Sequence, residues 1–399
     1  MKRIILIAAL FALMVSGSLH SREDDPTGVQ AHKLHEKRYR KAEADLARAS
    51  AESKVRAALF LGAYQDTRFV RNLGRELTKE LDVKHPYLNF PRNDPYVKAH
   101  IAWALGRLRH KKGLPYLITA LLKTQQILQA EAKKIEDLQK KAADRYSKEK
   151  KAYDDKKKAG GFVTANDSPV KVIVEEKYGP GPMLYKGNHV LPYSPDVYWS
   201  VSDDFKNLIA PDRTAQDHRI RLKNYNYVNL AFNIFDAIGE IYYWYRIKFK
   251  TVERVRINND HVDLVANFMD PAPEKKNYAY LRGAAAIALG KIGNKRAMDR
   301  LQERFGAEKS VEVRAKISYA ILLNDKSRTN HYMNLLRLLE SDDRDVRYIS
   351  AIALRDLAME ESIEALKEAK RIESNTVIHA IIKQALKSSR RSSLTPLPY

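Results

Sequence analysis

One short pattern comes round three times between residues 281 and 357, and it constrains the fold more than any other feature of the chain. Leu281-Arg282 opens LRGAAAIALGKIG, Val313-Arg314 opens VRAKISYAILL, and Val346-Arg347 opens VRYISAIALRDLA. The aligned apolar–Arg pairs are 32 and 33 residues apart. An interval of that length holds two helices and their turns, so its recurrence predicts an all-α solenoid of antiparallel helix pairs. Each pair exposes an apolar face that only the next pair can cover, which makes stability a property of neighbours.

The residues inside the unit suit that role. Ala284, Ala285 and Ala288 let helices approach closely, while Ile287, Leu289 and Ile292 supply apolar burial between layers. Gly290 and Gly293 are expected to end the second helix of the unit. Ser341-Asp342-Asp343 are expected to cap the helix that carries Val346-Arg347, where acidic groups favour the positive helix end. Outside the core stretch, residues 97–108 superpose residue for residue on 281–292, with Ala104, Leu105 and Gly106 on Ala288, Leu289 and Gly290. Ile238-Gly239-Glu240-Ile241 is a fainter echo of Leu289-Gly290-Lys291-Ile292. Val55-Arg56-Ala57-Ala58-Leu59 reads as a degenerate first unit whose Gly62 falls two residues early.

The V-R-x-x-A-x-x-A-L-G-x-I-G pattern at 97–108, 281–293, 313–323 and 346–357 resembles HEAT repeats of the PBS-lyase-like subtype, although Arg355 stands in place of the Gly in the last of these. The resemblance implies a right-handed helical solenoid used for protein–protein interaction or scaffolding. It covers the repeat alone, so bilin-lyase activity is not carried over and no enzymatic activity is expected.

The N-terminus sets the expected compartment. Lys2-Arg3 precede residues 4–15, twelve residues without a polar side chain, and then Ser16-Gly17-Ser18. A positive start, a short apolar run and small residues read as a signal peptide over residues 1–18, cleaved near Ser18. As a helix the apolar run spans about 18 Å, well short of the roughly 30 Å hydrocarbon core, so no stable membrane span is expected after cleavage. The chain has no cysteine, which removes a lipobox, a disulfide framework and Cys-ligated zinc. The expected location is therefore the bacterial periplasm, or outside the cell. Net charge is +22, which favours an acidic partner or an anionic surface; export makes nucleic acid an unexpected one.

Taken in order, residues 19–122 read as N-terminal HEAT-like helices, with one helix across 29–61. A long basic helix is expected over 123–159, inside a helical stretch of 113–159, projecting from the array. Residues 160–222 form a Pro-, Gly- and Tyr-rich insertion with a strand-like segment at 170–174, which predicts irregular or small-β structure. Residues 223–387 read as C-terminal HEAT-like repeats and 388–399 as a flexible tail.

Three surfaces are candidates for binding. Tyr193, Tyr198 and Trp199 in the insertion could anchor a partner or form a small core beneath the loop. Lys98, Arg282, Arg314 and Arg347 share one repeat position, so they form a ladder that either pairs with acidic turns or faces an anionic partner. Lys150, Lys151, Lys156, Lys157 and Lys158 could make the long helix an arm for an anionic partner. No catalytic residue, metal ligand or cofactor is assigned. The acid/His groups Asp260-His261-x-Asp263 and Asp203, Asp204, Asp212, Asp217 and His218 are the places where chemistry would sit. The expected function is an exported scaffold or adaptor that binds a protein in the cell envelope. The alternatives are a binder of anionic envelope polymer or lipid through the basic helix, and an enzyme with its site in the 160–221 insertion.

Overall fold

The computed structural model describes residues 26–47, 51–79, 95–164, 169, 171–176, 217–222, 225–249, 258–270 and 279–394. Two helices open it, α1 (Pro26–Ala47) and α2 (Ala51–Tyr64), where one had been expected. Uniformly high helix propensity hides the division, and α1 packs against α2. Next come α3 (Val70–Thr78), α4 (Pro95–Leu108), the long α5 (Leu114–Lys158) and α6 (Tyr225–Phe249). The described helices that follow are α7 (Asn259–Asn267), α8 (Ala279–Ile292), α9 (Lys295–Ala307), α10 (Val311–Leu322), α11 (Thr329–Leu338), α12 (Arg344–Leu357), α13 (Ile363–Ile372) and α14 (Thr376–Leu394).

The even-numbered helices from α2 to α14 touch one another in chain order and form a continuous row. Each odd-numbered helix packs against the even-numbered helix that follows it. The architecture is thus a HEAT-like solenoid of successive helix pairs. Between α5 and α6, strands β1 (Lys171–Glu176) and β2 (Asp217–Leu222) pair in parallel, with Lys171 opposite Asp217 and Glu176 opposite Leu222; β1 lies against α5. Among the described residues, no helix is long and apolar enough to cross a membrane. The expected signal peptide, residues 1–18, lies outside the described residues.

The row is held at close range by a glycine in one helix facing an alanine in the next. A Cβ placed on Gly62 would sit 3.0 Å from the Ala104 Cα, one on Gly106 2.7 Å from the Ala237 Cα, and one on Gly290 2.6 Å from the Ala320 Cα. Gly239 approaches the Ala288 Cα at 3.3 Å in the same sense. Two expectations change here. Gly290 lies inside α8 and admits the neighbouring backbone; Gly293, at φ +68°, is the residue that ends the helix. Gly62 is in phase with the other glycines, so the first unit counts from Ser53, and the Val55-Arg56 alignment was two residues out.

Capping follows the polar sequence signals. Asp343 caps α12 by accepting the Asp345 and Val346 N–H groups, and Ser310 and Asn294 cap α10 and α9. At the far end, α14 runs to Leu394, past the point at which a flexible tail was expected. Ser389 explains the extension: it is fully buried, and its hydroxyl meets that of Ser362 at 3.3 Å. A serine that packs inward reads in sequence like a serine in a tail.

Candidate functional site

The basic ladder is turned inward. Arg282 is 6% exposed, and its Nε and Nη2 donate to the two carboxylate oxygens of Glu308 at 2.9 and 3.0 Å. Arg347 makes the same fork on Glu373 at 2.8 and 3.3 Å, and its Nη1 also donates to the Ser341 and Asp342 carbonyls. Both pairs are 26 residues apart and join an even helix to the C-terminal end of the next odd helix. Lys54 occupies the same position in α2 and reaches Glu76 at 2.5 Å. Lys98 is buried and donates to the Lys79 carbonyl at the end of α3.

The basic stripe imagined as facing a partner is therefore corrected at Lys98, Arg282 and Arg347. These cations stitch layers together, because each sits where an odd helix ends in unsatisfied carbonyls and a carboxylate. Burial would raise the Glu308 carboxyl. The Arg282 and Ser310 hydrogen bonds and the Arg282 and Arg304 charges instead hold it below the usual range. Glu373 behaves alike, burial being overcome by Arg347 and the Asn375 N–H. Arg314 breaks the series: it lies over the Phe305 ring at 5.1 Å and leaves its Nε without a hydrogen-bond partner.

A second set of polar groups gathers where the even helices end. Lys291 on α8 donates to Asp236 Oδ1 at 2.7 Å and Glu240 Oε1 at 2.8 Å, both on α6. Burial alone would lower the Lys291 pKa, but the two carboxylates reverse this and keep the amine firmly protonated. Glu240 also meets Arg109 Nη2 at 3.4 Å, and the Arg109 guanidinium lies 4.7 Å from the Trp244 ring centre. Further along, Arg246 stacks over Tyr243 at 5.1 Å and hydrogen-bonds Asn324, whose amide donates to the Gly290 carbonyl at 2.7 Å. Tyr319 donates to Asp356 at 3.3 Å, and burial followed by the Asp356 charge raises its pKa.

These residues form one band of fixed charges and aromatic rings at the C-terminal ends of α4, α6, α8, α10 and α12, half-buried except at the exposed Asp356. Its chemistry is recognition: rigid donors, acceptors and ring faces at set spacing. The sequence signal was present, since Glu240 and Lys291 fall on the same repeat position with opposite charge on adjacent even helices.

The remaining candidates separate. Lys150, Lys151, Lys156, Lys157 and Lys158 are exposed on α5, among Glu149, Asp154 and Asp155, and Phe162 just beyond the helix is 85% exposed. Tyr193, Tyr198, Trp199, Asp203, Asp204 and Asp212 lie outside the described residues. Asp217 and His218 are in β2, with His218 opposite Val172. Asp263 is clasped by Arg296 at 2.5 and 2.8 Å, with Arg300 at 3.6 Å. The Arg296 hydrogen bond is the main reason its carboxyl is depressed. His261 has a depressed pKa from burial and an unpartnered Nδ1. Asp263 is thus committed to an arginine clasp on α9.

Comparison with known proteins names the repeat. The family model described as PBS lyase HEAT-like repeat matches residues 97–123 and 281–306, so the α4–α5 and α8–α9 segments are HEAT repeats of that type. A solved structure, the complex of CpcE and CpcF of phycocyanin lyase from Nostoc sp. PCC7120, overlaps 93% of this chain and 97% of that one, with 12% identity and a TM-score of 0.43. No curated protein matches the sequence. The expectation of a protein without enzymatic activity is corrected at this point, because the repeat model that matches is named for a lyase.

Proposed function

We propose that the protein is a HEAT-repeat solenoid that binds a partner protein in the bacterial cell envelope through the charged and aromatic band of its even helices. The observation that carries the reading is the Lys291–Asp236–Glu240 cluster with Arg109 and Trp244 beside it. It places fixed charge and ring faces at set spacing on a scaffold of stacked helix pairs. The export half of the proposal rests on the n-region, apolar run and small residues of the first 18 positions.

The test is capture of envelope proteins by the purified chain and by Trp244→Ala. The proposal expects a specific partner that crosslinks to the parent protein and is lost from the variant; equal recovery by both contradicts it. Recovery from the native host should give a chain lacking its first residues in the envelope fraction. A cytosolic chain with Met1 intact contradicts the export half.

The lyase name of the repeat family favours a further reading of the same binding, in which the partner is the substrate of a lyase-type step. Mass spectrometry of the captured partner, before and after incubation with this protein, should then show a change in mass. An unaltered mass sinks that reading and leaves the binding proposal standing.

A further inference from the structure

Two devices hold neighbouring units together along the row: a glycine that admits the next helix, and a cation tied to the end of the next odd helix. The α2–α4 junction has both, in Gly62 and Lys54–Glu76. The α8–α10 junction has both, in Gly290 and Arg282–Glu308. The α4–α6 and α6–α8 junctions have the glycine, at Gly106 and Gly239, and Lys291 adds an ionic tie across the latter. The α12–α14 junction has lost the glycine to Arg355 but keeps Arg347–Glu373.

The α10–α12 junction has neither. Leu322 stands at the glycine position, fully buried, so the helices cannot close to backbone contact. Arg314 stands at the cation position but turns to Phe305, while Glu340, at the interval where Glu308 and Glu373 serve their arginines, is exposed. A third observation agrees. Among the described residues the buried apolar side chains fall into two separate clusters, and the division runs through α10: Val313, Ile317, Ala320 and Ile321 belong to the N-terminal cluster, Ala315 and Leu322 to the C-terminal one. Polar ties across the boundary include Tyr319–Asp356 at 3.3 Å, Lys326 Nζ to the Leu357 carbonyl at 2.7 Å, and the Ser318 hydroxyl with Asn334 at 3.0 Å and His331 at 3.4 Å. Each has at least one partner that water reaches, and water can replace hydrogen bonds of that kind at little net cost.

We propose that the solenoid is two cooperative bodies hinged between α10 and α12, so that α11–α14 swings relative to α1–α10. The swing changes the spacing between Tyr319 and Leu323 on one side and Ile352 and Asp356 on the other. It therefore adjusts the far end of the recognition band, while Arg109, Glu240 and Lys291 stay fixed in the N-terminal body. Hinges of this type are a few contacts that give way between packed units.

The natural absence of cysteine makes the test direct, because introduced thiols are the only ones. Spin labels go on exposed sites of the odd helices in three double variants. Gln302→Cys/Met333→Cys straddles the α10–α12 junction. Asn267→Cys/Gln302→Cys straddles α8–α10, and Met333→Cys/Lys367→Cys straddles α12–α14. The expected result is a distance distribution about twice as broad for the first pair as for the other two; equal widths overturn the hinge. A measurement on the unsubstituted chain guards against disturbance by the labels. Trp103, Trp199 and Trp244 all precede the junction in sequence, so fluorescence reports the N-terminal body while far-ultraviolet circular dichroism reports both. Urea transitions seen by the two probes should separate, and coincident transitions overturn the proposal. Both measurements use the protein alone, so they fail or succeed independently of the partner reading.

Discussion

Arg282 and Glu308 form a bidentate ion pair with side chains only 7% and 2% exposed, linking the start of α8 to the end of α9. Such a pair costs desolvation on both sides and stabilises only while both partners remain. Arg282→Ala leaves the Glu308 carboxylate buried with one of its main donors gone, and is expected to lower stability by about 3–5 kcal/mol. Urea denaturation checks it. Replacing both residues together, Arg282→Met with Glu308→Leu, should recover most of that loss, which distinguishes a stranded charge from lost packing.

The same carboxylates set an acid limit. Glu76, Glu308 and Glu373 all have folded pKa values below the ordinary glutamate value, burial being outweighed by their cationic partners. A group depressed in the folded state contributes stability above its unfolded pKa, about 4.3 for Glu. That contribution is lost as pH falls through the lower folded value. The melting temperature should hold steady from neutral pH down to about 5 and fall below about 4. Arg347→Ala should flatten the acid limb; an unchanged limb would mean that Glu373 is not depressed by its partner.

Glycine substitution separates close approach from helix propensity. Gly290→Ala brings a Cβ to 2.6 Å of the Ala320 Cα, and backbone cannot step aside as a side-chain tip can. Overpacking of this kind costs about 1–3 kcal/mol. Gly306, within α9, has nothing within 4 Å of a built Cβ, so Gly306→Ala should stabilise by about 0.5–1 kcal/mol through propensity alone. Thermal unfolding of the two variants should move in opposite directions.

Lys291 lies between two carboxylates. Lys291→Met keeps the length of the side chain but leaves Asp236 and Glu240 facing each other, which is expected to cost about 2–4 kcal/mol. The loss should shrink on acidification, because protonating either carboxyl relieves the repulsion. A loss that does not vary with pH would point to packing instead.

The repeat at 281–357 made the solenoid legible, because a period of two helices with alanine and glycine at fixed places has few other physical meanings. What the residues do within it was less legible. The Arg282, Arg314 and Arg347 ladder reads the same in sequence whether it faces water or a neighbouring helix end, and only the position of Glu308 and Glu373 decides. Gly290 looks like a helix stop until Ala320 is seen against it. The first unit was misaligned because Val55-Arg56 imitates the repeat start, while the true register is set by Gly62 against Ala104, a contact between distant parts of the chain. The recognition band is not legible in sequence because Asp236, Glu240 and Lys291 are ordinary surface residues in isolation and become a cluster only when α6 meets α8.

Register along the even row is the point on which the stacking account stands, and a single crosslink reads it. A Cβ on Gly62 lies 3.2 Å from the Ala104 Cβ, so a few tenths of an ångström of give bring the pair to disulfide geometry. In a chain without other cysteines, Gly62→Cys/Ala104→Cys should oxidise to an intramolecular disulfide, seen as faster migration on a non-reducing gel. Formation of that bond is the predicted result. Failure there, with ready crosslinking of Tyr64→Cys/Ala104→Cys instead, would contradict the register and the stack of helix pairs built on it.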